Sequence, residues 1–507
     1  MTGSLLEQQW HLRNTGQSGG RVGEDLRAID AWELLRGMGR EPGAGVRVAV
    51  IDSAVDVQHP ALFANRIADG SWDYRSDSAT DPLPCQPADT GHGTSVAGII
   101  AASPDKADGG SGVAPKAGMV AFNALATRSD EDIADALNRD LDRNQIFHSS
   151  WGSADDGRLK RVGSGFATAI ERGLRVGRGG RGALYVFPAG NGGCIRTEGA
   201  GACTPDADRS TYDGYLNHRG VIVACAVDHN GERPSWAEAG ANLLVCGPSG
   251  PPRTPAADAD AGSIVSPHLE GLWRRDFTGA SASAPMVSGV IALMLSANPM
   301  LSARDVRLIL ARSARRNDPA HPGWEEGAAG GHAFNHAYGF GVADAAAAVR
   351  MARDWISIGA ETSLLECSAS AKDQGVGFPL AIADGDPTGI AIDLILDPRA
   401  CAIQRIEHVE VRLEAPHAYS ADLRLELTSP AGTTSLLADK RVLDRGRICR
   451  SGQGTAIECP SYDAAWPIAT LRHLDEPAVG SWQLRIIDDV SGQSGQVDNW
   501  SLRVWGR

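Results

Sequence analysis

The spacing of apolar residues between residues 46 and 355 predicts a sheet whose strands are buried on both faces. Short, continuous apolar runs bounded by glycine or polar turns are typical of such strands. They occur at residues 46–51, 117–122, 183–187, 221–227 and 243–246. Helical patterns lie between them, such as the apolar stripe that ends near Leu141 after a capping-box-like start at Ser129. This alternation predicts an α/β fold, with helices on both faces of a parallel sheet.

The pattern changes after Trp355, where single apolar and polar residues begin to alternate. Residues 406–414, 422–428 and 482–486 show this period of two, and the run SPAG that follows the second of them is a typical turn. Such strands predict an antiparallel, jelly-roll-like β-sandwich. We therefore expect a first domain over residues 1–358, a linker rich in small and polar residues over 359–389, and an all-β domain over 390–507.

The length of 507 residues agrees with two domains, because a single hydrophobic core rarely serves so long a chain. The formal net charge of −14 argues against nucleic acid binding as a main activity. No apolar stretch reaches the ~20 residues that a membrane-spanning helix needs, so no membrane span is expected. Residues 1–10 lack the features of a secretory signal. We expect a secreted or extracytoplasmic mature form, with a cytosolic protein as the alternative.

The nine cysteines predict disulfides rather than a metal site, because none of them forms a CxxC pair or a zinc-type spacing. Two pairs are close in sequence, Cys194 with Cys203 and Cys449 with Cys459. Disulfides would indicate an oxidising compartment. The odd number leaves at least one free thiol, and scattered buried thiols are the alternative interpretation.

Three separate segments carry residues of catalytic character. Asp52 ends the first predicted strand, at the sheet edge where functional groups of α/β proteins gather. His92 lies in the run GHGTSVAG, whose glycines allow a close approach of backbone and substrate. Ser281, in the run FTGASASAP, stands where a loop enters an apolar helix, and Pro285 is expected in the first turn of that helix. Each segment alone is a weak signal, but the combination is specific.

In this order the three segments resemble the subtilisin family, for which Asp, His, Ser is the known order of the triad. The resemblance implies that Ser281 is the nucleophile and His92 the general base and acid, while Asp52 orients the imidazole. Asn191, in the run PAGNGG, resembles the family's oxyanion-hole asparagine, whose amide is worth ~10²–10³ in rate in subtilisin. We therefore expect a serine endopeptidase that works through an acyl-enzyme.

Further segments are similar to the kexin and furin branch, the proprotein convertases, which cleave after basic residues. They are the run SWGSADDG at residues 150–157, the start QQWHL at residues 8–12, and the C-terminal sandwich, which resembles the P domain of that branch. The resemblance implies cleavage after arginine or lysine, and a structural Ca²⁺ near the primary pocket. The residues it implies for substrate binding are Asp155, Asp213, Asp89, Trp151 and Gly152, and those for the metal are Asp155, Asp208 and Glu238.

The chain departs from this pattern at three places. Ser53 replaces an aspartate that helps the branch read the residue beside the cleaved arginine, which favours preference for one basic residue over a dibasic preference. Ala61 stands where the family commonly has a calcium-binding aspartate, so a second calcium site is not expected there. The basic run RLKR at residues 158–161 predicts weak selection at distal positions, and we interpret it as a solvated surface.

Two alternatives stay open at this point. The first is a subtilisin-like protease with broad specificity, and the second is an inactive protease fold used for binding. Selective loss of activity on arginine substrates in Asp155→Asn and Asp213→Asn would argue against the first, and labelling by a fluorophosphonate would argue against the second. The expected partners are protein or peptide substrates with basic residues, and a pro-segment or dedicated chaperone.

Overall fold

A computed structural model describes residues 4–85, 90–104, 109–196, 203–251, 262–441, 461–463 and 466–507. In these ranges the helices are α1 (Leu5–Gln8), α2 (Ala28–Gly37), α3 (Pro60–Phe63), α4 (His92–Ala101), α5 (Asp130–Ala136), α6 (Ser164–Gly180), α7 (Ala280–Ala297), α8 (Ala303–Ser313) and α9 (Ala345–Arg353). The strands of the first domain are β1 (Arg47–Ile51), β2 (Gly118–Phe122), β3 (Ile146–Ser149), β4 (Leu184–Pro188), β5 (Cys194–Arg196), β6 (Cys203–Pro205), β7 (Val221–Val227), β8 (Leu243–Pro248), β9 (Ile264–Pro267) and β10 (Trp273–Phe277). Those of the second are β11 (Leu365–Ser370), β12 (Leu380–Ile382), β13 (Asp386–Leu396), β14 (Ile406–Glu414), β15 (Leu423–Thr428), β16 (Thr434–Ala438), β17 (Pro467–Thr470), β18 (Gly480–Asp488), β19 (Gly495–Val497) and β20 (Asn499–Gly506).

Six strands form the parallel sheet that the sequence predicts, in the order β2-β1-β3-β4-β7-β8. β1 pairs in parallel with β2 and β3, and all five of its residues are buried. A strand of continuous apolar residues needs cover on both faces, and α4 and α7 are among the helices that contact the sheet. The predicted α/β fold with a parallel sheet is confirmed.

The sequence pattern does not reveal β3, although this strand lies between β1 and β4 in the middle of the sheet. Only Ile146 and Phe147 are apolar, and His148 and Ser149 follow them. All four side chains are fully buried. A strand this short, with two polar residues, lacks the continuous apolar run by which the other strands are recognised.

Helix α7 lies in the core, and all of its residues except Ser281 are buried. Pro285 is the sixth residue of this helix, so its predicted position in the first turn is wrong. A proline inside a helix lacks the N–H that would bind the carbonyl four residues earlier, here that of Ser281. In the described ranges α7 is the one helix long and apolar enough to cross a membrane, but 94% of it is buried inside the protein, as in the core helix of a globular domain.

The C-terminal region is the predicted all-β sandwich. Its two antiparallel sheets have the strand orders β11-β20-β14-β17 and β13-β18-β15-β16. Apolar residues of both sheets share one core, including Val411 of β14, Leu425 of β15 and Trp482 of β18. The period-two alternation therefore indicates correctly which side chains point inward.

The prediction of a linker over residues 359–389 is wrong for most of that range. β11 pairs with β20 over residues 365–370, and β12 pairs with β19. Leu365, Cys367 and Ala369 alternate with polar residues, but small side chains on an edge strand give a weak apolar signal. The sandwich therefore begins near residue 365.

The two domains meet through groups that are largely buried. Leu159 and Tyr212 of the first domain lie in the core of the sandwich. The Tyr212 hydroxyl donates to the Asp439 carbonyl at 2.8 Å and accepts the Asp439 N–H at 2.9 Å. Arg304 donates to both carboxylate oxygens of Glu407, at 2.6 and 2.9 Å. The sandwich is thus fastened to specific segments of the first domain.

The described residues contain three disulfides, which join Cys194 to Cys203, Cys225 to Cys246, and Cys367 to Cys401. The first of these is a predicted pair, now confirmed. Cys85 is an exposed free thiol. The other predicted pair, Cys449 with Cys459, lies outside the described residues.

Candidate active site

Asp52 and His92 meet at the carboxyl edge of the parallel sheet. Asp52 follows β1 directly and is fully buried, and its Oδ1 accepts the N–H of Ser53 at 2.7 Å. The same oxygen lies 2.8 Å from His92 Nδ1, while Oδ2 has no hydrogen-bond partner among the described residues. A carboxylate can only accept, so in the neutral ring the hydrogen is assigned to Nδ1 and Nε2 is left as the acceptor.

Glycines set the backbone around His92, which is the first residue of α4. Gly91 has a φ of 70°, and a Cβ added there would lie 2.6 Å from His268 Nδ1. A Cβ at Gly93 would lie 2.6 Å from the carbonyl oxygen of Ala54. The segments that carry His268 and Ala54 can approach this closely only because these two positions lack side chains.

Ser281 is the second residue of α7 and is partly exposed. Its Oγ donates to the backbone oxygen of Ser150 at 3.1 Å. The side chain of Asn191 reaches the same helix start, where its Oδ1 accepts the N–H of Ala280 at 2.8 Å. The fold thus brings the predicted nucleophile and the predicted oxyanion donor to one helix N-terminus.

A largely polar pocket of about 70 Å³ opens beside Ser281. The predicted substrate and metal residues that line it are Trp151, Gly152, Asp155, Asp208, Asp213 and Glu238. The remaining predicted substrate residue, Asp89, lies outside the described residues. Four of these side chains are carboxylates, so the pocket is suited to a positively charged occupant.

Asp213 is held in this pocket by three donors. The N–H and Oγ of Ser153 donate to it at 2.7 and 3.0 Å, and the N–H of Tyr215 donates at 2.9 Å. A Cβ at Gly152 would lie 2.7 Å from Asp213 Oδ2, so only glycine leaves this oxygen accessible from that side. Burial raises the pKa of Asp213, the three donors oppose the rise, and the charge of Asp155 adds to it. An incoming cation would therefore favour its ionised form.

Asp155, Asp208 and Glu238 form a carboxylate cluster in the same pocket. Burial raises the pKa of Asp208 to about 7, with a contribution from the nearby charge of Asp155. Burial also raises the pKa of Glu238 well above its ordinary range, and the charges of Asp208 and Asp155 add to the effect. The negative charges of the cluster thus make Asp208 and Glu238 harder to ionise. At Asp155 the loss of hydration raises the pKa, while hydrogen bonds with Asn191 and Glu238 oppose the rise.

The chemistry of this cluster suits a hard divalent cation, since calcium prefers carboxylate oxygens as ligands. Gly192 allows the crowding: a Cβ there would lie 2.6 Å from Asp208 Cβ and 3.0 Å from Glu238 Oε1. In the part of the chain that the structure describes, no three acidic, histidine or cysteine side chains already form a coordination shell. The cluster therefore has the donors for calcium, but the side chains would have to move together around the ion.

Trp151 joins the pocket to the strand that carries the predicted triad aspartate. Its Nε1 donates to the carbonyl of Ile51 at 2.8 Å, one residue before Asp52. Its ring packs edge-on against Phe187 and Tyr215. Trp151 therefore supports the wall of the pocket through its packing.

The basic run at residues 158–161 is solvated only in part: Arg161 is exposed, but the other three residues are more tightly bound than a surface loop, so that interpretation is wrong for them. Leu159 is buried against the sandwich, and the backbone of Lys160 is hydrogen-bonded to Tyr212 and Gly214. Arg158 and Lys160 also line the acidic pocket. The sequence does not show this, because the positions depend on contacts with distant segments.

Comparison with known proteins agrees with this geometry. The subtilase family model matches residues 43–341. The chain belongs to the subtilase family. The proprotein convertase P-domain model matches residues 406–504, which confirms the predicted branch and identifies the sandwich.

Several relatives of this subtilase are processing proteases. The dibasic-processing endoprotease of Schizosaccharomyces pombe is 32% identical, over 99% of this chain and 65% of the relative. Kexin of Saccharomyces cerevisiae is 30% identical, over 99% of this chain and 56% of the kexin sequence. Neuroendocrine convertase 2 of Mus musculus is 30% identical, over 100% of this chain and 74% of the convertase sequence. The chain spans about half to two thirds of the length of the fungal relatives.

Among solved structures, the serine protease of Aeromonas sobria is similar over both domains. In its complex with a chaperone it has a TM-score of 0.85 and 27% identity, covering 99% of this chain and 95% of that one. The same protease without the chaperone gives a TM-score of 0.83. The arrangement of the parallel sheet and the C-terminal sandwich is therefore shared with that protein.

Proposed function

We propose that this subtilase is a serine endopeptidase that cleaves peptide bonds after arginine or lysine. The observation that carries the proposal is the 2.8 Å contact between Asp52 Oδ1 and His92 Nδ1. It lies at the sheet edge to which α7 brings Ser281. Membership of the subtilase family supports the same three residues as the triad.

His92 would serve as general base and then as general acid. With its Nδ1 hydrogen held by Asp52, Nε2 takes the proton of Ser281 as Oγ attacks the scissile carbonyl, and then passes it to the leaving amine. Asp52 stabilises the imidazolium that exists between these transfers. Because Asp52 is fully buried, solvent screens this attraction little.

Asn191 would donate a hydrogen bond to the oxyanion of the tetrahedral intermediate. Its Oδ1 accepts the N–H of Ala280, which orients the amide and leaves the NH₂ group as the donor. One hydrogen of that group binds Asp155, and we assign the other to the oxyanion.

The specificity follows from Asp155 and Asp213, whose carboxylates match the forked donors of an arginine guanidinium. The names of two fungal relatives indicate cleavage at dibasic sites. In this chain Ser53 offers a hydroxyl that contacts Ala54 and Gly93, where the branch has a carboxylate. We therefore propose that one basic residue suffices.

A structural calcium ion is assigned to Asp155, Asp208 and Glu238. When bound, it would neutralise the cluster and fix the pocket, and it would take no part in bond cleavage. Its support is the clustering of Asp155 with the buried Asp208 and Glu238, whose pKa values are raised by burial and by neighbouring carboxylate charge.

The disulfides support an extracytoplasmic location. A folding chaperone or pro-segment is proposed as a partner, because the similar Aeromonas sobria protease forms a complex with a chaperone.

The proposal is tested with a fluorophosphonate probe and a peptide library. We expect the wild type to be labelled and Ser281→Ala to remain unlabelled with an unchanged melting temperature. In the library, Asp213→Asn should lose activity selectively on arginine and lysine peptides. Equal cleavage of basic and neutral peptides by the wild type would contradict the specificity, and failure to label it would favour a binding role.

A further inference from the structure

A buried histidine lies beneath the nucleophile, outside the triad. His148, on the central strand β3, is fully buried between two hydroxyl groups. Its Nδ1 is 2.9 Å from Oγ of Ser288 on α7, and its Nε2 is 2.8 Å from Oγ of Ser150. The Ser150 hydroxyl in turn donates to the backbone carbonyl of Ser281 at 3.2 Å. Four residues thus form a continuous hydrogen-bonded chain that ends on the nucleophile.

The direction of every hydrogen bond in this chain is determined. A carbonyl can only accept, so the single hydrogen of the Ser150 hydroxyl points to Ser281. Ser150 Oγ must therefore accept from His148 Nε2–H. A neutral imidazole carries one hydrogen, so its Nδ1 accepts from the Ser288 hydroxyl. Burial lowers the pKa of His148 to about 3, which keeps the ring neutral and this direction fixed near neutral pH.

The carbonyl of Ser281 is available to Ser150 because of Pro285. In a regular helix the N–H of residue 285 would donate to the carbonyl of residue 281, and proline has no N–H. Ser150 Oγ–H occupies the position of the missing donor. The helix start is therefore completed from the sheet, through His148, and not by the helix itself.

Ser150 also holds the other end of the nucleophile. Its own backbone oxygen accepts the hydrogen of Ser281 Oγ at 3.1 Å. The side chain of Ser150 fixes the main chain of Ser281 while its main chain fixes the hydroxyl. The bond from His148 Nε2–H holds the Ser150 side chain in the rotamer that reaches the Ser281 carbonyl.

We propose that His148 is a positioning residue for the nucleophile Ser281, acting through Ser150. This inference rests on the proposed endopeptidase function. His148 touches neither the substrate nor the reacting atoms, and its Nε2–H tautomer is the functional one. Displacement of a nucleophile by 1 Å can cost about 10²-fold in rate, so the expected loss without His148 is about 10- to 100-fold in kcat.

The decisive variants are His148→Leu and His148→Gln. Leucine fills a similar volume without a donor, and the Ser288 hydroxyl can turn to a carbonyl of its own helix. Glutamine places an amide N–H about as far from the backbone as Nε2, so it can still donate to Ser150. We expect His148→Leu to lower kcat and the rate of fluorophosphonate labelling about 10- to 100-fold with KM within about 2-fold, and His148→Gln to restore most of the loss.

Ser149→Ala is the matched control. Ser149 lies next to His148 on the same strand, is equally buried, and its hydroxyl has no hydrogen-bond partner among the described residues. Its side chain points to the opposite face of the sheet. We expect kcat and labelling rate to stay within about 2-fold of the wild type, which shows that loss of a buried polar group on β3 is not itself harmful.

A double-mutant cycle of His148→Leu with Ser150→Ala tests the route. If the two residues act in one chain, the combined loss should be close to the larger single loss and well below the product of both. Two results would overturn the inference: His148→Leu as active as Ser149→Ala, or equal losses in His148→Leu and His148→Gln that follow the melting temperature. A wild type that neither cleaves nor labels would instead overturn the proposed function on which the inference rests.

Discussion

The same domain buries carboxylates in two places, and their surroundings differ. Asp52 is fully buried, yet it has a Ser53 N–H donor and the imidazole of His92 within 2.8 Å. Asp208 and Glu238 are also buried and also accept backbone N–H bonds, but each faces other carboxylates, and their pKa values rise. Backbone donors do not offset the loss of hydration where the neighbouring charges are also negative. Asp52 thus has an imidazole as its neighbour, a group that can carry a positive charge, whereas the neighbours of Asp208 and Glu238 are further carboxylates.

The largest expected effect comes from replacing the carboxylate of Asp52. Asp52→Asn should lower kcat by about 10⁴-fold, because an amide can donate to Nδ1 and so select the wrong tautomer of His92. The melting temperature should change by no more than a few degrees. Steady-state kinetics and calorimetry measure both effects.

The control for this experiment is Asp30→Asn, which removes a carboxylate from a half-exposed ion pair with Arg13. We expect kcat to be unchanged, since exposed pairs contribute little. A loss of less than about 10-fold in Asp52→Asn would contradict the assignment of Asp52 as the orienting carboxylate.

The second prediction concerns the carboxylate cluster, where charge removal should change stability. Calcium at a hundred times its Kd should stabilise the wild type by about 2.7 kcal/mol, which raises Tm by a few degrees. The double variant Asp208→Asn/Glu238→Gln should show no calcium-dependent shift. Without metal it should be more stable than the wild type, because the repelling carboxylates are gone.

Thermal unfolding with calcium, with magnesium and after metal depletion measures these differences in melting temperature between the wild type and the double variant. Magnesium serves as the control cation, because it dehydrates reluctantly and suits such a site less well. A double variant that still responds to calcium would place the ion elsewhere in the protein.

Asp208 should also give the metal-depleted protein a characteristic pH dependence. Burial and the charge of Asp155 raise the pKa of Asp208 from its ordinary value of 3.8 to about 7. Between these values the folded protein keeps a proton that the unfolded chain has lost, so the free energy of unfolding falls as pH rises, by about 1.4 kcal/mol per pH unit. Below pH ~4 both states are protonated and the effect vanishes.

Urea unfolding of the metal-depleted wild type and of Asp208→Asn at three pH values in this window measures the difference. The variant should lose the contribution of Asp208 and show a shallower fall, and calcium should flatten the wild-type curve. Identical slopes in the two proteins would contradict the raised pKa. The subtraction matters because other buried acids also titrate, with both signs.

The sequence predicts those features that short stretches of residues encode. Continuous apolar runs identify β1 and β7, and glycines around His92 mark a backbone that must pass close to other segments. The motif at Asn191 is equally local. The predictions of the strands and of the close backbone approach succeed because the physical requirement and the residue types lie within a few positions of each other, and the role of Asn191 stays a prediction.

The features that could not be predicted from the sequence depend on contacts with residues far along the chain. β3 is polar at His148 because Ser150 and Ser288 satisfy that side chain, and Ser288 is 140 residues away. Pro285 is acceptable inside α7 because Ser150 bonds the carbonyl of Ser281. The run at residues 158–161 reads as surface, yet the sandwich covers part of it. No pattern within one segment contains this information.

The smallest expected effect concerns the P domain and its influence on the position of Asp213 in the acidic pocket. Tyr212 precedes Asp213, and its hydroxyl both donates to and accepts from the backbone of Asp439 in the sandwich. Tyr212→Phe leaves these two backbone groups unpaired, which should cost about 1–2 kcal/mol of stability. Because Asp213 is the next residue, KM for arginine substrates should rise about 2- to 5-fold with kcat nearly unchanged.

The matched control is Tyr185→Phe, which removes another buried hydroxyl, one that donates to the carbonyl of Leu137 at 3.0 Å. We expect a similar decrease in the free energy of unfolding but no change in KM, because Tyr185 lies on β4 and does not line the pocket. If both variants raise KM equally, the effect comes from general destabilisation. If only Tyr212→Phe does, the P domain helps to hold the carboxylate that receives the substrate, and the cluster and its pocket depend on both domains.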